Sequence, residues 1–363
     1  MEKLIKFYDI SKQDQKINKK ILNSIKQVVL KKNFINGADV TLFEKKFSSL
    51  VNSKYSIACS NGTDALTIAL KSLNLKKGSE VIMPAMTYIS TAYAILNANL
   101  TPVLVDIDLN NGLMDLNKLK NKITKKTKVI LPVHLYGNVI EIDNIKINKN
   151  VFIIDDASQA HGAQYLNKKF VGSKNHISCF SLYPGKNLGA YGDAGIITTN
   201  SQIFYKKIIR LSNLGLMREQ KYDHEIIANN NRLDTIQAAV LKEKIRYLKL
   251  HNNLRRKIAN IYIKKIKNKK IKTLKNSKYS VFHQFIVLVK NRKKFMNYMI
   301  KNNIQTGIHY PKAINQHKSL KNFFKKSRFK NAELFSKQCV SLPIDPYLNK
   351  QEVKKIINAI NKF

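Results

Sequence analysis

The chain has 363 residues, with 65 Lys plus Arg against 23 Asp plus Glu and a formal net charge of +42. Its length fits one large domain with a smaller one appended, and no apolar run reaches the ~18 residues that a membrane span requires. Only eight of the basic residues are Arg, and a Lys, Asn and Ile excess with no Trp is what A/T-rich codons produce. The charge invites a nucleic-acid reading, but this composition argues against it, because a nucleic-acid binder leans on Arg for bidentate contacts.

Residues 15–32 place apolar side chains at helical spacing (Ile17, Ile21, Ile25, Val28), and 40–51 predict a second helix. A strand–turn–helix rhythm follows. Strands are expected at Tyr55–Ala58, Glu80–Met83, Pro102–Val105, Val129–Val133, Val151–Asp155, Ile177–Phe180 and Gly195–Thr199. Helices fall between the early ones, at Asp64–Leu73, Ser90–Asn97 and Leu116–Lys122. Short apolar strands alternating with helices predict an α/β fold with a mostly parallel sheet covered on both faces, whose ligands sit beyond the strand carboxyl ends. From 201 the pattern turns helical, with Ile203–Leu211 and a long helix from Asp234 through Leu250 to about Lys265. Residues 278–363 read as a small α+β unit: strand Phe282–Val289, helix Arg292–Asn302, strand Gly307–Tyr310 and helix Gln351–Asn361. The division expected is a large domain over 1–250 and a small C-terminal domain over 251–363.

Cys59, Cys179 and Cys339 are scattered and odd in number, which predicts reduced thiols rather than a disulfide framework or a metal site. The opening Met1–Asp9 segment lacks the apolar stretch of a secretion leader, so a cytoplasmic protein is expected.

Five segments after the strands carry more polar chemistry than packing requires. In Ser60-Asn61-Gly62-Thr63-Asp64, Gly62 permits a tight turn, and Thr63 or Asp64 can cap a helix whose first N–H groups would bind an anion. Tyr88, beyond Pro84, offers a flat ring to an aromatic ligand, or packs as a core tyrosine. At Ile154-Asp155-Asp156-Ala157-Ser158-Gln159 an apolar strand runs into two acids, costly to bury without a cationic partner such as a protonated pyridine. Four of the 13 glycines fall between Gly185 and Gly195, and Lys186 lies among them. An amine held in such a desolvated loop can attack an aldehyde. Last, Asn229-Asn230-Asn231-Arg232 places a donor cluster before a helix.

These segments, in this order and over nearly the whole chain, resemble the DegT/DnrJ/EryC1/StrS family of sugar-nucleotide aminotransferases. The most specific stretches are Asn61-Gly62-Thr63-Asp64-Ala65-Leu66 and Tyr183-Pro184-Gly185-Lys186-Asn187-Leu188-Gly189. The resemblance implies the fold type I, aspartate-aminotransferase-like architecture of pyridoxal 5′-phosphate (PLP) enzymes and a homodimer with shared sites. By the same resemblance Lys186 would bond the cofactor as a Schiff base. Gly62, Thr63 and Ser181 would hold its phosphate, joined by Asn230 from the partner subunit. Tyr88 would stack on the ring, with Asp156 at the pyridine nitrogen and Gln159 at the ring oxygen. Asn33, Phe34, His309 and Tyr310, with Arg232 from the other subunit, would meet the sugar nucleotide. The chain departs from the family pattern at Asp155, Ala194, Leu214 and Asn315. The last two bear on substrate placement.

The implied reaction moves an amino group, from L-glutamate by resemblance, to a keto-sugar nucleotide in the synthesis of surface polysaccharide or glycoconjugate. A lysine at position 186 favours aminotransfer over the dehydratases that carry His there. Arg232-Leu233-Asp234-Thr235 and Asn315 resemble enzymes acting on 3-oxo sugars, UDP- or dTDP-linked, so C3 amination is favoured over C4. A lyase and a non-catalytic PLP-binding regulator are the competing readings.

Overall fold

The structure, a computed structural model, describes residues 3–13, 15–142, 145, 147–325 and 327–363. Met1 and Glu2 of the segment read for a leader lie outside the described residues. Two N-terminal helices, α1 (Gln15–Lys31) and α2 (Ala38–Val51), precede the sheet. Along the chain then come β1 (Tyr55–Cys59), α3 (Gly62–Ser72), β2 (Glu80–Pro84), α4 (Ile89–Asn97), β3 (Thr101–Val105), α5 (Leu116–Leu119) and β4 (Thr127–Ile130). Strands β5 (Phe152–Asp156), β6 (Ile177–Ser181) and β7 (Gly195–Thr199) complete a seven-stranded sheet of order β1-β7-β6-β5-β4-β2-β3. Neighbours pair in parallel except at β7, which is antiparallel to both β1 and β6.

The period-two pattern of the strands sorts the core into two layers. Ile57, Cys179 and Ile197 face one cluster, with α3 and α4. Their chain neighbours Ala58, Phe180 and Ile196 face the other, with Phe43 and Phe47 of α2. Helix α6 (Gln202–Ser212) follows the sheet. The long helix expected from Asp234 is divided into α7 (Thr235–Lys244), a single tighter turn over Ile245–Tyr247, and α8 (Leu248–Lys265). The helical periodicity is continuous in sequence, so a change of hydrogen-bond pitch leaves no mark there.

A second, antiparallel sheet of order β10-β9-β8 is built from β8 (Ile271–Thr273), β9 (Phe285–Val289) and β10 (Cys339–Leu342), with helices α9 (Arg292–Lys301), α10 (Lys330–Gln338) and α11 (Lys350–Lys362). Strand β9 is buried on both faces. Phe285, Val287 and Val289 enter a local core with Phe295 and Ile356, while Ile286 and Leu288 join the large-sheet core. That double burial fixes the smaller unit against the larger one. Gly307–Tyr310 is not a strand; Gly307 makes only an isolated bridge to Ser341, and the edge is supplied by β10.

Candidate active site

A cavity of about 800 Å³ opens beyond the carboxyl ends of the parallel strands, between the large sheet and the smaller unit. The first wall is the start of α3. Asn61, not Thr63 or Asp64, caps this helix: its side chain accepts the Asp64 N–H at 2.9 Å and its carbonyl the Ala65 N–H at 3.0 Å. The N–H groups of Gly62 and Thr63, which line the cavity, are left for an anion, at the positive end of the helix dipole. A Cβ on Gly62 would lie 2.6 Å from the Ser181 Cβ, so only glycine lets the helix start approach the end of β6 so closely.

At the end of β5 the two acids part. Asp155 points away from the cavity and is satisfied there by Ser178 Oγ at 2.8 Å, Asn175 Nδ2 at 2.7 Å and the Tyr165 hydroxyl at 3.2 Å, with His134 at 3.4 Å. Asp156 lines the cavity, accepting from Thr91 Oγ1 at 2.8 Å and the Ser158 N–H at 3.2 Å. It is a buried carboxylate with one hydroxyl and one amide on it, and a cationic ring nitrogen is the group such a site suits. Gln159 spans two fixed partners. Its carbonyl accepts the Tyr136 N–H at 2.5 Å and its amide donates to the Tyr310 hydroxyl at 3.0 Å.

Lys186 follows β6 on a turn closed by its own N–H to Tyr183 O at 2.9 Å. Its amine opens on the cavity rather than on bulk solvent, and this burial lowers its pKa from 10.5 to about 8, against the pull of Asp156. Asn187 anchors the turn: its amide donates to Asn252 Oδ1 and Val281 O, and its carbonyl meets His283 Nδ1. The surrounding imidazoles are held neutral by burial and by the Lys186 charge. His161 falls to about 3 and His309 to about 4. Tyr88 is 55% exposed at the start of α4, with its ring 5.4 Å from that of Tyr310. His309 bonds Ser341 Oγ through Nδ1 at 2.8 Å and stacks on Phe7.

The chain thus brings Gly62, Thr63, Tyr88, Asp156, Gln159, Ser181, Lys186, His309 and Tyr310 to a single cavity. Asn33, Phe34, Asn230 and Arg232 do not line it. Asn230 is exposed and bridges to Asn213, Arg232 donates to Asn213 Oδ1 at 3.1 Å, and Phe34 is 45% exposed. Asn315 is turned away as well, with its amide donating to Ser327 O and Glu333. Sequence reasoning missed Thr91, Asn252 and Arg255. Thr91 lies on α4, four residues after Thr87, and their hydroxyls meet at 3.0 Å.

The cavity fits PLP: a glycine-only approach at a helix start for the phosphate, a flat ring beside it, a buried acid for the pyridine nitrogen and a desolvated amine. The model of the DegT/DnrJ/EryC1/StrS aminotransferase family matches residues 15–361. The chain is 40% identical to the dTDP-3-amino-3,6-dideoxy-alpha-D-galactopyranose transaminase of Aneurinibacillus thermoaerophilus, over 99% of both chains. It is 33% identical to the UDP-2-acetamido-2-deoxy-3-oxo-D-glucuronate aminotransferase of Pseudomonas aeruginosa, over 98% of this chain and 99% of that one. Among solved structures it superposes on NtdA from Bacillus subtilis, with bound cofactor PMP, at a TM-score of 0.92 and 29% identity, over 99% of this chain and 85% of that one.

Proposed function

Because the chain belongs to the DegT/DnrJ/EryC1/StrS aminotransferase family and is a PLP-dependent sugar-nucleotide aminotransferase of fold type I, we propose that it transfers the amino group of L-glutamate to the C3 carbonyl of a UDP- or dTDP-linked keto sugar. The product would feed surface polysaccharide or glycoconjugate synthesis. The observation that carries the reading is the convergence of Lys186, Asp156, Gln159 and the Gly62–Thr63 helix start on one cavity. The choice of C3 is supported by the 40%-identical relative, which is named for a 3-amino sugar.

PLP supplies the electron sink for the pair released at the donor's α-carbon. Everything else falls to the chain. The Gly62 and Thr63 N–H groups and the Ser181 hydroxyl would bind the phosphate. Asp156 would keep a proton on the pyridine nitrogen, and Thr91 fixes the orientation of that carboxylate. Gln159, steadied by Tyr136 and Tyr310, would offer its amide to the ring oxygen. Tyr88 would stack on the ring. The Lys186 amine, neutral in part near physiological pH, takes and returns the proton at the carbon that gains or loses nitrogen. Neutral His309 and Tyr310 offer hydrogen bonds to the sugar without adding charge.

The test is a pair of half-reactions. Purified protein with PLP should absorb in the visible, lose that band on addition of L-glutamate with release of one keto acid per site, and regain it with a 3-keto-sugar nucleotide. Lys186→Ala should abolish the band. A protein that stays colourless with PLP, or that responds only to 4-keto sugars, overturns the reading at its first or second level.

A further inference from the structure

Building on that reaction, the structure carries a second assignment within the same cavity. Of its described lining residues, Lys186 and Arg255 are the only Lys or Arg side chains. With Lys186 committed to the cofactor, Arg255 is the one fixed cation this protomer contributes. It lies on α8 and is 6% exposed. Its Nη1 donates to Ile344 O at 2.9 Å, and its Nε has no partner among the described residues. A guanidinium has five N–H donors, and leaving the Nε–H buried and unmatched is costly unless something else occupies it.

The nearby acid does not fill that role. Asp345 accepts the Tyr347 N–H at 2.9 Å and the Asp9 N–H at 3.5 Å, and among the described residues no ion pair joins it to Arg255. The Asp345 charge is near enough to act on Arg255, but it leaves the Nε–H of the guanidinium unmatched at the cavity wall formed by the smaller unit. Its position relative to the reacting amine is also fixed. Asn252, one turn earlier on α8, accepts from Asn187 beside Lys186 at 2.9 Å and donates to His161 O at 2.8 Å. One helix thus ties the lysine turn and the guanidinium into a single frame.

We propose that Arg255 is the carboxylate receptor for the amino donor, binding a carboxylate of L-glutamate through its guanidinium N–H groups and so orienting the donor's amine toward Lys186. An acidic donor has a carboxylate to place in every cycle, and a planar fork matches it in geometry and charge. The assignment rests on the aminotransferase reading for the identity of the donor, and its test is separable from that reading.

The probe is glutarate, a dicarboxylate with no amine to react, titrated calorimetrically into the PLP-loaded protein. Arg255→Gln should weaken glutarate about 10- to 100-fold, the range for losing a charged hydrogen-bond pair. PLP affinity should stay within about twofold and Tm within a few degrees of wild type. Arg255→Lys keeps the stem and charge but not the fork, and should lose affinity by an intermediate factor. It carries the test should the Gln variant fail to fold. Three results overturn the assignment: unchanged glutarate binding, a loss confined to the keto-sugar arm, or parallel losses of PLP, glutarate and Tm, which would mark Arg255 as a tie to Ile344 only. Failure of wild-type protein to aminate any keto-sugar nucleotide while it still binds glutarate through Arg255 would sink the sugar reading and leave this one standing.

Discussion

Lys186 is poised by its surroundings rather than by its own chemistry. Burial disfavours its ammonium form and Asp156 favours it, and burial wins, leaving a pKa of about 8 against the ordinary 10.5. Only the neutral amine can attack an aldehyde, so uptake of PLP by the cofactor-free protein should accelerate with pH and level off above about 8. A free lysine would still be accelerating there. Asp156→Asn removes the opposing field, so the midpoint should move to lower pH even as the variant binds PLP more weakly. Stopped-flow absorbance over a pH series reads both shifts. Linkage gives the matching sign for stability: between about 8 and 10.5 the unfolded chain binds more protons at this site than the folded one. The cofactor-free fold should therefore gain stability from this residue as pH rises through that window. A midpoint near 10.5 would show that the amine is not desolvated.

At the scale of elements, the site depends on how closely α3 meets β6. Gly62→Ala would place a methyl group 2.6 Å from the Ser181 Cβ, and neither side can yield by a rotamer change. The helix start must shift, at a cost of about 1–3 kcal/mol. The expected outcome is a lower Tm together with PLP affinity reduced about tenfold or more, measured by denaturation and cofactor titration on one preparation. A second joint lies outside the cavity. Glu44 of α2 takes Arg218 in a two-pronged pair at 2.7 and 2.5 Å and also accepts the Ala58 N–H at 2.7 Å. Glu44→Ala strands the guanidinium and an amide of β1. Because Arg218 keeps partial solvent contact, about 2 kcal/mol of stability should be lost, read from urea denaturation.

The same scale explains what was legible in the sequence. The parallel strands were, because each is a short apolar run ended by Pro, Gly or an acid. Lys186 and Asp156 stood out because unusual residues crowd the strand ends, and both line the cavity. Strand alternation puts Asp155 and Asp156 on opposite sides, but the choice of Asp156 for the cavity came from the family resemblance. Strands β8 and β10 were missed. They are three and four residues long, and β10 follows directly on α10, so no turn signal separates helix from strand. Asn252 and Arg255 were unreadable for a different reason. Nothing local marks them within a Lys- and Asn-rich helix, and their importance comes from what folds against α8.

The chain keeps several of its expected substrate residues off the lining of its own cavity. Asn230 and Arg232 do not line their own chain's cavity, although Arg232 bridges to Cys59 just before the helix start, and nearby Ile227 is fully exposed and Tyr222 is 91% exposed. Tyr88, Tyr183 and Phe34 add further exposed rings. We propose that apolar surface of this kind is covered in a two-fold dimer in which each subunit completes its partner's site. A complementation experiment separates this from a self-sufficient monomer. Lys186→Ala and Arg232→Ala should each be inactive or severely impaired alone. In a mixed dimer both lesions fall in the same site, and the other site keeps its native Lys186 and Arg232. Random exchange makes half the dimers mixed, each with one of two sites intact. Mixing should then restore about a quarter of wild-type activity. Ile227→Lys, introduced into both chains, should lower that recovery in step with the fraction of dimer seen by sedimentation. If the mixture stays as inactive as its parents while both variants exchange freely, Arg232 serves its own chain or no site at all, and the shared-site architecture fails.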